Sequence, residues 1–322
     1  MTPPTPPTPP TLVIAGPTAG GKSALSLDLA ARVGAARVEI VAADAFQVYR
    51  GLDIGTAKPT PEERARVPHH LIDVAEPTER FTLHDWLTRA QQAITEIRGR
   101  GHWPLVVGGT HLYVKALLDG LFEGPGADEG LRAALYAMDA GARRAELERV
   151  DPAAAARIHP NDERRTVRAL EVFRLTGRPI SEHQTQWDGG PESRGEPGAP
   201  GMRLVVLDWP VDAINRRINA RVRAMMEQGL AAEARGLWEA GRLGPQAREA
   251  LGYKQLIPVF EGTRPLDEAV ERIKIDTRRF AKSQRTWLRR LSVDARAIRI
   301  DAGTFVPQDW SDAVLSRIEG VG

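Results

Sequence analysis

Residues 16–23 read Gly16-Pro17-Thr18-Ala19-Gly20-Gly21-Lys22-Ser23. They fit the pattern G-x-x-x-x-G-K-[ST], a loop whose backbone cradles phosphate. The apolar run Leu12-Val13-Ile14-Ala15 precedes it and reads as a buried strand; the amphipathic run from Ala24 to Val33 follows and reads as a helix. That strand–loop–helix setting turns a pattern match into a physical expectation. The glycines let the backbone wrap around oxygens with its N–H groups turned inward. The start of the helix adds positive partial charge, Lys22 a point charge, and the Ser23 hydroxyl a ligand for Mg²⁺. The loop announces phosphate without saying which molecule carries it, or whether a phosphoryl group moves.

The chain has 322 residues, 42% of them hydrophobic, which suits one large domain or two modest ones with a substantial core. There is no cysteine, which excludes disulfides and thiolate zinc sites. No apolar run approaches a membrane span, and the opening Thr-Pro-Pro repeat lacks the basic and apolar regions of a secretory signal. A cytoplasmic protein is expected. The net charge of +2 says little, but its distribution says more. Residues 272–290 hold eight Lys and Arg against one acid, an asymmetry suited to an acidic polymer or simply to a solvated helix face.

Further along the chain, Val38–Ala42 is a second strand, ending near Asp44. An acid at the carboxyl end of a strand faces the ligand crevice of an open α/β sheet. Residues 51–70 are loop-rich, Leu83–Arg98 has helical spacing, Pro104–Val107 is a third strand, and Gly108-Gly109-Thr110 turns into a helix at 111–118. After Gly124-Pro125-Gly126 the character changes: residues 127–183 have helical spacing and no clear strand, and 188–201 read as a linker. Arg203–Leu207 is a strand again, followed by helices at 212–228, 230–240 and 266–290 and a short strand at 297–300. The fold class expected is α/β: a P-loop-type parallel sheet flanked by helices, with an all-helical insertion. The domain bounds are a disordered Pro-rich tail over 1–10, core over 11–126, insertion over 127–196, and core again over 197–322.

Asp44 can be a Mg²⁺-binding acid, a general base, or a helix cap. Asp208, after Val205-Val206-Leu207, is a rival for the metal role. His69-His70 reads as a loop pair with one ring satisfied by the backbone, and Met225-Met226 as core. Arg217 and Arg221, four apart on one helix face, suit a pyrophosphate clamp or a solvated surface. In the helix near 277–291, Phe280, Trp287 and Leu291 share a face expected to be core. Arg278, Lys282, Arg285 and Arg289 form an adjacent basic stripe, expected to face phosphate.

Taken together these stretches resemble the bacterial tRNA dimethylallyltransferase family. The resemblance rests on Gly16–Ser23; Asp44 with Gln47 and Tyr49; Asp53-Ile54-Gly55-Thr56-Ala57-Lys58-Pro59; Pro68–Asp73; Val107–Thr110; His159–Asp162 with Arg165 and Arg168–Val172; Leu251–Lys254; and Thr277–Lys282 with Gln284 and Trp287. It runs from about Leu12 to Leu291. The order of the motifs is specific, whereas the P-loop alone is widespread.

The resemblance implies transfer of a dimethylallyl group from dimethylallyl diphosphate to the exocyclic amine of the adenosine 3′ of the anticodon, with no phosphoryl transfer. It implies that Gly16, Pro17, Thr18, Ala19, Gly20, Gly21, Lys22, Ser23 and Arg217 hold the diphosphate, with Mg²⁺ on Ser23. Asp44, Thr110 and Arg221 are implied as catalytic. The tRNA contacts implied are Asp44, Ala45, Phe46, Gln47, Thr110, Arg164, Arg165, Arg168, Arg278, Lys282 and Gln284, the insertion being tRNA-binding and the protein a monomer. Residues 127–196 hold 11 Arg against 13 acids, so the insertion should read RNA through a local arginine face. Two positions depart from the family pattern: Ala45 stands where Ser is usual, and Ser283 where Arg is usual. Two other readings compete: a P-loop small-molecule or nucleoside kinase, and a non-catalytic RNA-binding module that senses nucleotide.

Overall fold

The computed structural model describes residues 9–121, 124–183, 201–294, 296–304 and 307–319. The Thr-Pro-Pro repeat up to residue 8 and the linker over 188–200 lie outside the described residues. The chain divides into two compact units, 1–118 with 199–322, and 119–198. The first break falls at 118, a little before the expected 126.

The first unit is built on a six-stranded, all-parallel sheet in the order β3-β2-β4-β1-β5-β6. Its strands are β1 (Thr11–Ala15), β2 (Val38–Ala42), β3 (His69–His70), β4 (Trp103–Gly108), β5 (Met202–Asp208) and β6 (Ala297–Asp301). Strands β1 and β2 are buried at every position, the signature of a parallel sheet covered on both faces. Edge strand β6 alternates buried and exposed residues instead.

Helix α1 (Lys22–Val33) leaves β1 through the glycine loop and lays Leu25, Leu29 and Ala30 on the sheet. The core there joins Leu12, Ile14, Leu105, Val205, Leu207 and Trp310. Helix α2 (Pro61–Arg66), in the stretch expected to be loop, starts at a Thr60–Glu63 capping box. Helix α3 (Leu83–Gly99) starts at a Thr82–Asp85 box. Buried Trp86 of α3 donates its indole N–H to the Ala42 carbonyl at 2.8 Å. Helix α4 (His111–Asp119) follows β4.

The second unit is helical: α5 (Glu129–Ala137), α6 (Ala140–Val150), α7 (Pro152–Arg157), α8 (Glu163–Thr176) and α9 (Ile180–His183). Asp128, Asp139, Asp151 and Asp162 cap the first four of these. Leu135, Leu147, Leu170 and Val172 form its core. Glu171 is fully buried there, and its charge is met by Arg132, Arg168 and the Asp128 amide.

Back in the first unit come α10 (Val211–Glu227), α11 (Leu230–Glu239), α12 (Tyr253–Phe260), α13 (Leu266–Leu291) and α14 (Pro307–Glu319). Met225 is buried, as expected. The expected core face of α13 holds at Leu291 and fails at Phe280. Phe280 is 42% exposed and Trp287 half-buried, while Ala269, Ile273, Ala281, Gln284, Leu288 and Leu291 face inward. The buried line thus runs through a glutamine and passes by the phenylalanine.

Candidate active site

The carboxyl ends of β1, β2, β4 and β5 carry the glycine loop, Asp44, Thr110 and Trp209, the crevice edge where α/β sheets bind ligands. The loop is closed by the Gly20 amide donating to the Pro17 carbonyl at 3.0 Å, with Ala19 at φ 59° and Gly21 at φ 89°. Gly21 has a second reason to be glycine: a Cβ there would stand 2.9 Å from the Trp310 ring. The outward carbonyls of the loop are taken by cations and an indole. Lys22 Nζ donates to Gly16 O at 3.0 Å and Pro17 O at 2.9 Å. Arg217 Nε donates to Ala19 O at 2.8 Å, Trp209 Nε1 donates to Gly20 O at 3.0 Å, and the Arg217 guanidinium lies 4.7 Å over the Trp209 ring. Arg217 therefore braces the outside of the loop.

Asp44 sits beside this loop. Its Oδ1 accepts the amides of Phe46 at 2.9 Å and Gln47 at 3.3 Å, a local turn and not a helix cap. No described residue donates to its Oδ2. Thr110 N donates to Ala43 O at 3.2 Å and Thr110 Oγ1 accepts the Ala45 amide at 3.0 Å, so the ends of β2 and β4 are stitched together around the carboxylate. The rival acid, Asp208, is occupied on the sheet edge by Arg299 at 3.0 Å.

Two cations are held beside Asp44. Burial, and then the charge of Arg221, depress Lys22 to about 8, with Asp44 pulling the other way. Burial likewise depresses Arg221, which Asp44 opposes and Arg217 reinforces. Arg221 makes no hydrogen bond to another described residue. A half-buried lysine and arginine that both feel the single carboxylate of Asp44 form a site short of negative charge.

Ser23 is exposed on the first turn of α1. Among the described residues no cluster of three His, Cys, Asp or Glu could hold a metal. His69 Nδ1 meets the Val67 carbonyl at 2.7 Å, as expected of a backbone-satisfied ring, although the pair forms an edge strand and not a loop. His70 reaches Glu39.

The residues expected on tRNA divide. Ala45, Phe46 and Gln47 line the half-buried turn after Asp44. Both donors of the Gln47 amide are committed, to Thr56 O at 3.0 Å and Ala57 O at 3.2 Å. Arg164 and Arg165 are exposed on α8, Arg165 with Asp162 at 3.3 Å. Arg168 is bound to Glu171 and to the Pro125 carbonyl, so it serves the helical unit's own core. On α13, Arg278 ties to Asn219 at 2.7 Å, Lys282 and Ser283 are exposed and Arg285 is half-buried. Gln284 corrects an expectation: it is 1% exposed, with both ends of its amide bonded inside the protein, and offers no surface to RNA.

Some site residues escape a motif reading. Glu233 of α11 accepts the amides of Ile54 at 2.9 Å, Asp53 at 3.2 Å and Gly55 at 3.3 Å, together with the Tyr253 hydroxyl at 2.5 Å, and so pins the loop that holds Gln47. His111 is buried beside Trp287, its ring 6.2 Å away and nearly parallel, and its Nε2 has no partner among the described residues. Burial and Lys22 push His111 down to about 4, so it is neutral at neutral pH. The only sequence signal for His111 is that it follows the Val107–Thr110 stretch, and Glu233 has none, because the loop amides it accepts lie about 180 residues away.

A P-loop on a parallel sheet, with a carboxylate and half-buried cations beside it, is the frame of an enzyme acting on a phosphorylated ligand. Two family models match: IPP transferase over residues 47–291 and isopentenyl transferase over residues 10–73. The chain belongs to the IPP transferase family. It is 46% identical over 284 residues to a tRNA dimethylallyltransferase of Geobacter sulfurreducens, covering 87% of this chain and 88% of that protein. It is 48% identical over 286 residues to one from Halorhodospira halophila, covering 86% and 89%. Among solved structures it is similar to a tRNA isopentenylpyrophosphate transferase of Bacillus halodurans, with 37% identity, a TM-score of 0.68, and 97% of each chain covered. It is also similar to a eukaryotic dimethylallyltransferase acting on tRNA, with 28% identity, a TM-score of 0.78, and 95% of this chain and 77% of that one covered.

Proposed function

We propose that this protein transfers the dimethylallyl group of dimethylallyl diphosphate to the N6 amine of the adenosine 3′ of the anticodon (adenosine 37) in tRNA, releasing diphosphate. The observation that carries the reading is Asp44 at the carboxyl end of β2, its Oδ1 held by two amides, on the same sheet edge as the glycine loop with Lys22. As the allylic C–O bond breaks, charge builds on the departing diphosphate. Half-buried cations beside the leaving group, Lys22 and Arg221, stabilise that charge more in the transition state than in the ground state. The amides of Ala19, Gly21, Lys22 and Ser23 and the Lys22 side chain hold the diphosphate, and Arg217 braces the loop through the Ala19 carbonyl.

Adenine's amine is a weak nucleophile because its lone pair is delocalised into the ring. Asp44, its Oδ1 fixed by two amides, keeps Oδ2 for the amine: it orients the N–H and takes the proton as the C–N bond forms. Thr110 holds the backbone on which Asp44 rides. The base leaves a loop and not a duplex, so extruding it breaks no pair. Arg164 and Arg165 on one unit, and Lys282 and Arg285 on the other, supply phosphate contacts.

The donors suit Mg²⁺. Ser23 would offer one hard oxygen, and diphosphate oxygens and water would supply the rest, the usual manner of magnesium. Bound there, the ion would neutralise diphosphate charge. Among the described residues no helix is long and apolar enough to cross a membrane. The reading takes the protein to act as a monomer.

The test supplies purified protein with dimethylallyl diphosphate and an unmodified anticodon stem-loop, then reads the digested nucleosides by mass. A dimethylallyl gain on one adenosine is expected. Bare adenine, with labelled ATP passing its terminal phosphate to an acceptor, overturns the reading.

A further inference from the structure

Gln284 lies near the C-terminal end of α13, between exposed Lys282 and half-buried Arg285, yet it points the other way and is 1% exposed. Its Oε1 accepts the Thr18 amide at 2.7 Å and its Nε2 donates to the Gly109 carbonyl at 2.9 Å. The first contact lies on the glycine loop and the second on the turn after β4. We propose that Gln284 is a positioning residue that locks the donor loop to the Gly109–Thr110 turn and so sets the spacing between the leaving diphosphate and the attacking amine. The proposal rests on the transfer reaction put forward above.

The connection is short. Thr110 follows Gly109 and takes the Ala45 amide; Ala45 follows Asp44. One side-chain amide thus joins the loop that holds the donor to the backbone that carries the base. It also consumes the Thr18 N–H, which leaves the phosphate-facing set to begin at Ala19. The fit is tight on the far side as well. A Cβ on Gly109 would stand 2.6 Å from Gln284 Nε2 and 3.5 Å from Lys22 Nζ, so glycine is required for the amide to enter. The chemistry of the link is specific. One end meets an N–H and the other a carbonyl, and an uncharged amide of this length supplies an acceptor and a donor together. An ionised carboxylate would repel the Gly109 carbonyl, and an apolar chain would leave two buried backbone groups unpaired.

The test compares wild type with Gln284→Met and Gln284→Glu. Transfer kinetics are measured with dimethylallyl diphosphate and an anticodon stem-loop, and stem-loop affinity is measured separately across salt. Misplacement of reacting groups by about an ångström costs on the order of a hundredfold, so Gln284→Met should lose about tenfold to a hundredfold in kcat/KM for the donor. Its stem-loop Kd and salt slope should stay at the wild-type value. Gln284→Glu should fall far below wild type at pH 8 and recover toward it as the pH drops, because a protonated carboxyl again donates to Gly109; both points come from one preparation, so a general folding defect cannot imitate the trend. Weakened stem-loop binding with intact donor kinetics would make Gln284 an RNA contact and overturn the proposal. So would variants that match wild type, or a Gln284→Glu deficit that does not move with pH. A wild-type enzyme inert toward donor and stem-loop sinks the transfer reaction itself, a result distinct from any of these.

Discussion

Thr110 Oγ1 receives the Ala45 amide at 3.0 Å, so the residue next to the carboxylate is held through its backbone and needs no hydroxyl of its own. The alanine at position 45 therefore leaves the support of Asp44 in place. Thr110→Val removes the acceptor and strands the amide, at a cost of about 1–3 kcal/mol. Turnover should fall roughly tenfold to a hundredfold, and Thr110→Ser should restore most of it. Equal activity in the Val and Ser variants would show that the bond does not steer Asp44.

Asp44→Asn keeps the shape and gives up the base. Loss of a general base costs about 10²–10⁴ in rate, and that loss should appear in kcat while stem-loop affinity changes little. Single-turnover kinetics beside a binding titration would separate the two; normal chemistry with lost affinity would make Asp44 a binding residue only.

Lys22 should make binding of a diphosphate donor sensitive to pH. In the folded protein it gives up its proton near pH 8, against an ordinary 10.5, because burial and Arg221 disfavour the charge. Between those values the unfolded chain binds more protons, so stability of the free protein should rise with pH across that window. Bound diphosphate favours the protonated form again. Its affinity should therefore fall as pH climbs above about 8, and calorimetry in buffers of different ionisation heat should reveal proton uptake. An affinity flat from pH 7 to about 10 would remove Lys22 from the diphosphate site.

Glu39 is a different kind of buried charge. Burial raises its pKa, but hydrogen bonds from Arg100, His70 and His102 win and hold it at about 2. A depressed carboxylate contributes stability that is complete above its ordinary 4.5 and lost as pH falls toward 2. Glu39→Gln should cost about 1–3 kcal/mol at neutral pH. The gap from wild type in denaturant titrations should narrow below pH 4.5; a gap independent of pH would mean packing, not charge, is what the variant loses.

Lys282→Ala should weaken stem-loop binding and lower the magnitude of the salt slope by about one, the signature of a single phosphate contact. An unchanged slope would place the RNA elsewhere.

The sheet and the P-loop were legible because they are local. A buried strand, a glycine pattern and an amphipathic helix lie within residues 11–33, and the strands other than the two-residue β3 show in the sequence, β6 by alternation and the rest by their apolar stretches. The side chains of α13 were not legible in the same way. Helical periodicity sorts by hydrophobicity, which puts Phe280 inside and Gln284 outside, and the protein does the reverse. Gln284 is stable when buried because its amide is satisfied by backbone 266 and 175 residues away in sequence, and no window along the chain contains those partners. The Glu233 nest under residues 53–55 was hidden for the same reason. Arg168 was hidden more simply: as a charge in a motif it looks like an RNA contact, and only the buried Glu171 beside it reveals that its charge is spent.

Strand β1 pairs on one side with residues 105–108 and on the other with residues 202–206. During synthesis its second edge stays bare while the whole helical unit emerges from the ribosome. Pairing across so long a separation is slow, and an open edge invites wrong partners. The donor loop hangs from the end of that strand, so its final framing waits on the late-made β5 and, through Gln284, on the still later α13. A nascent or truncated chain that has β1 and α1 already holds the phosphate motif without the surroundings that make it useful, and competence to grip an allylic donor comes only when nearly all of the protein has been made.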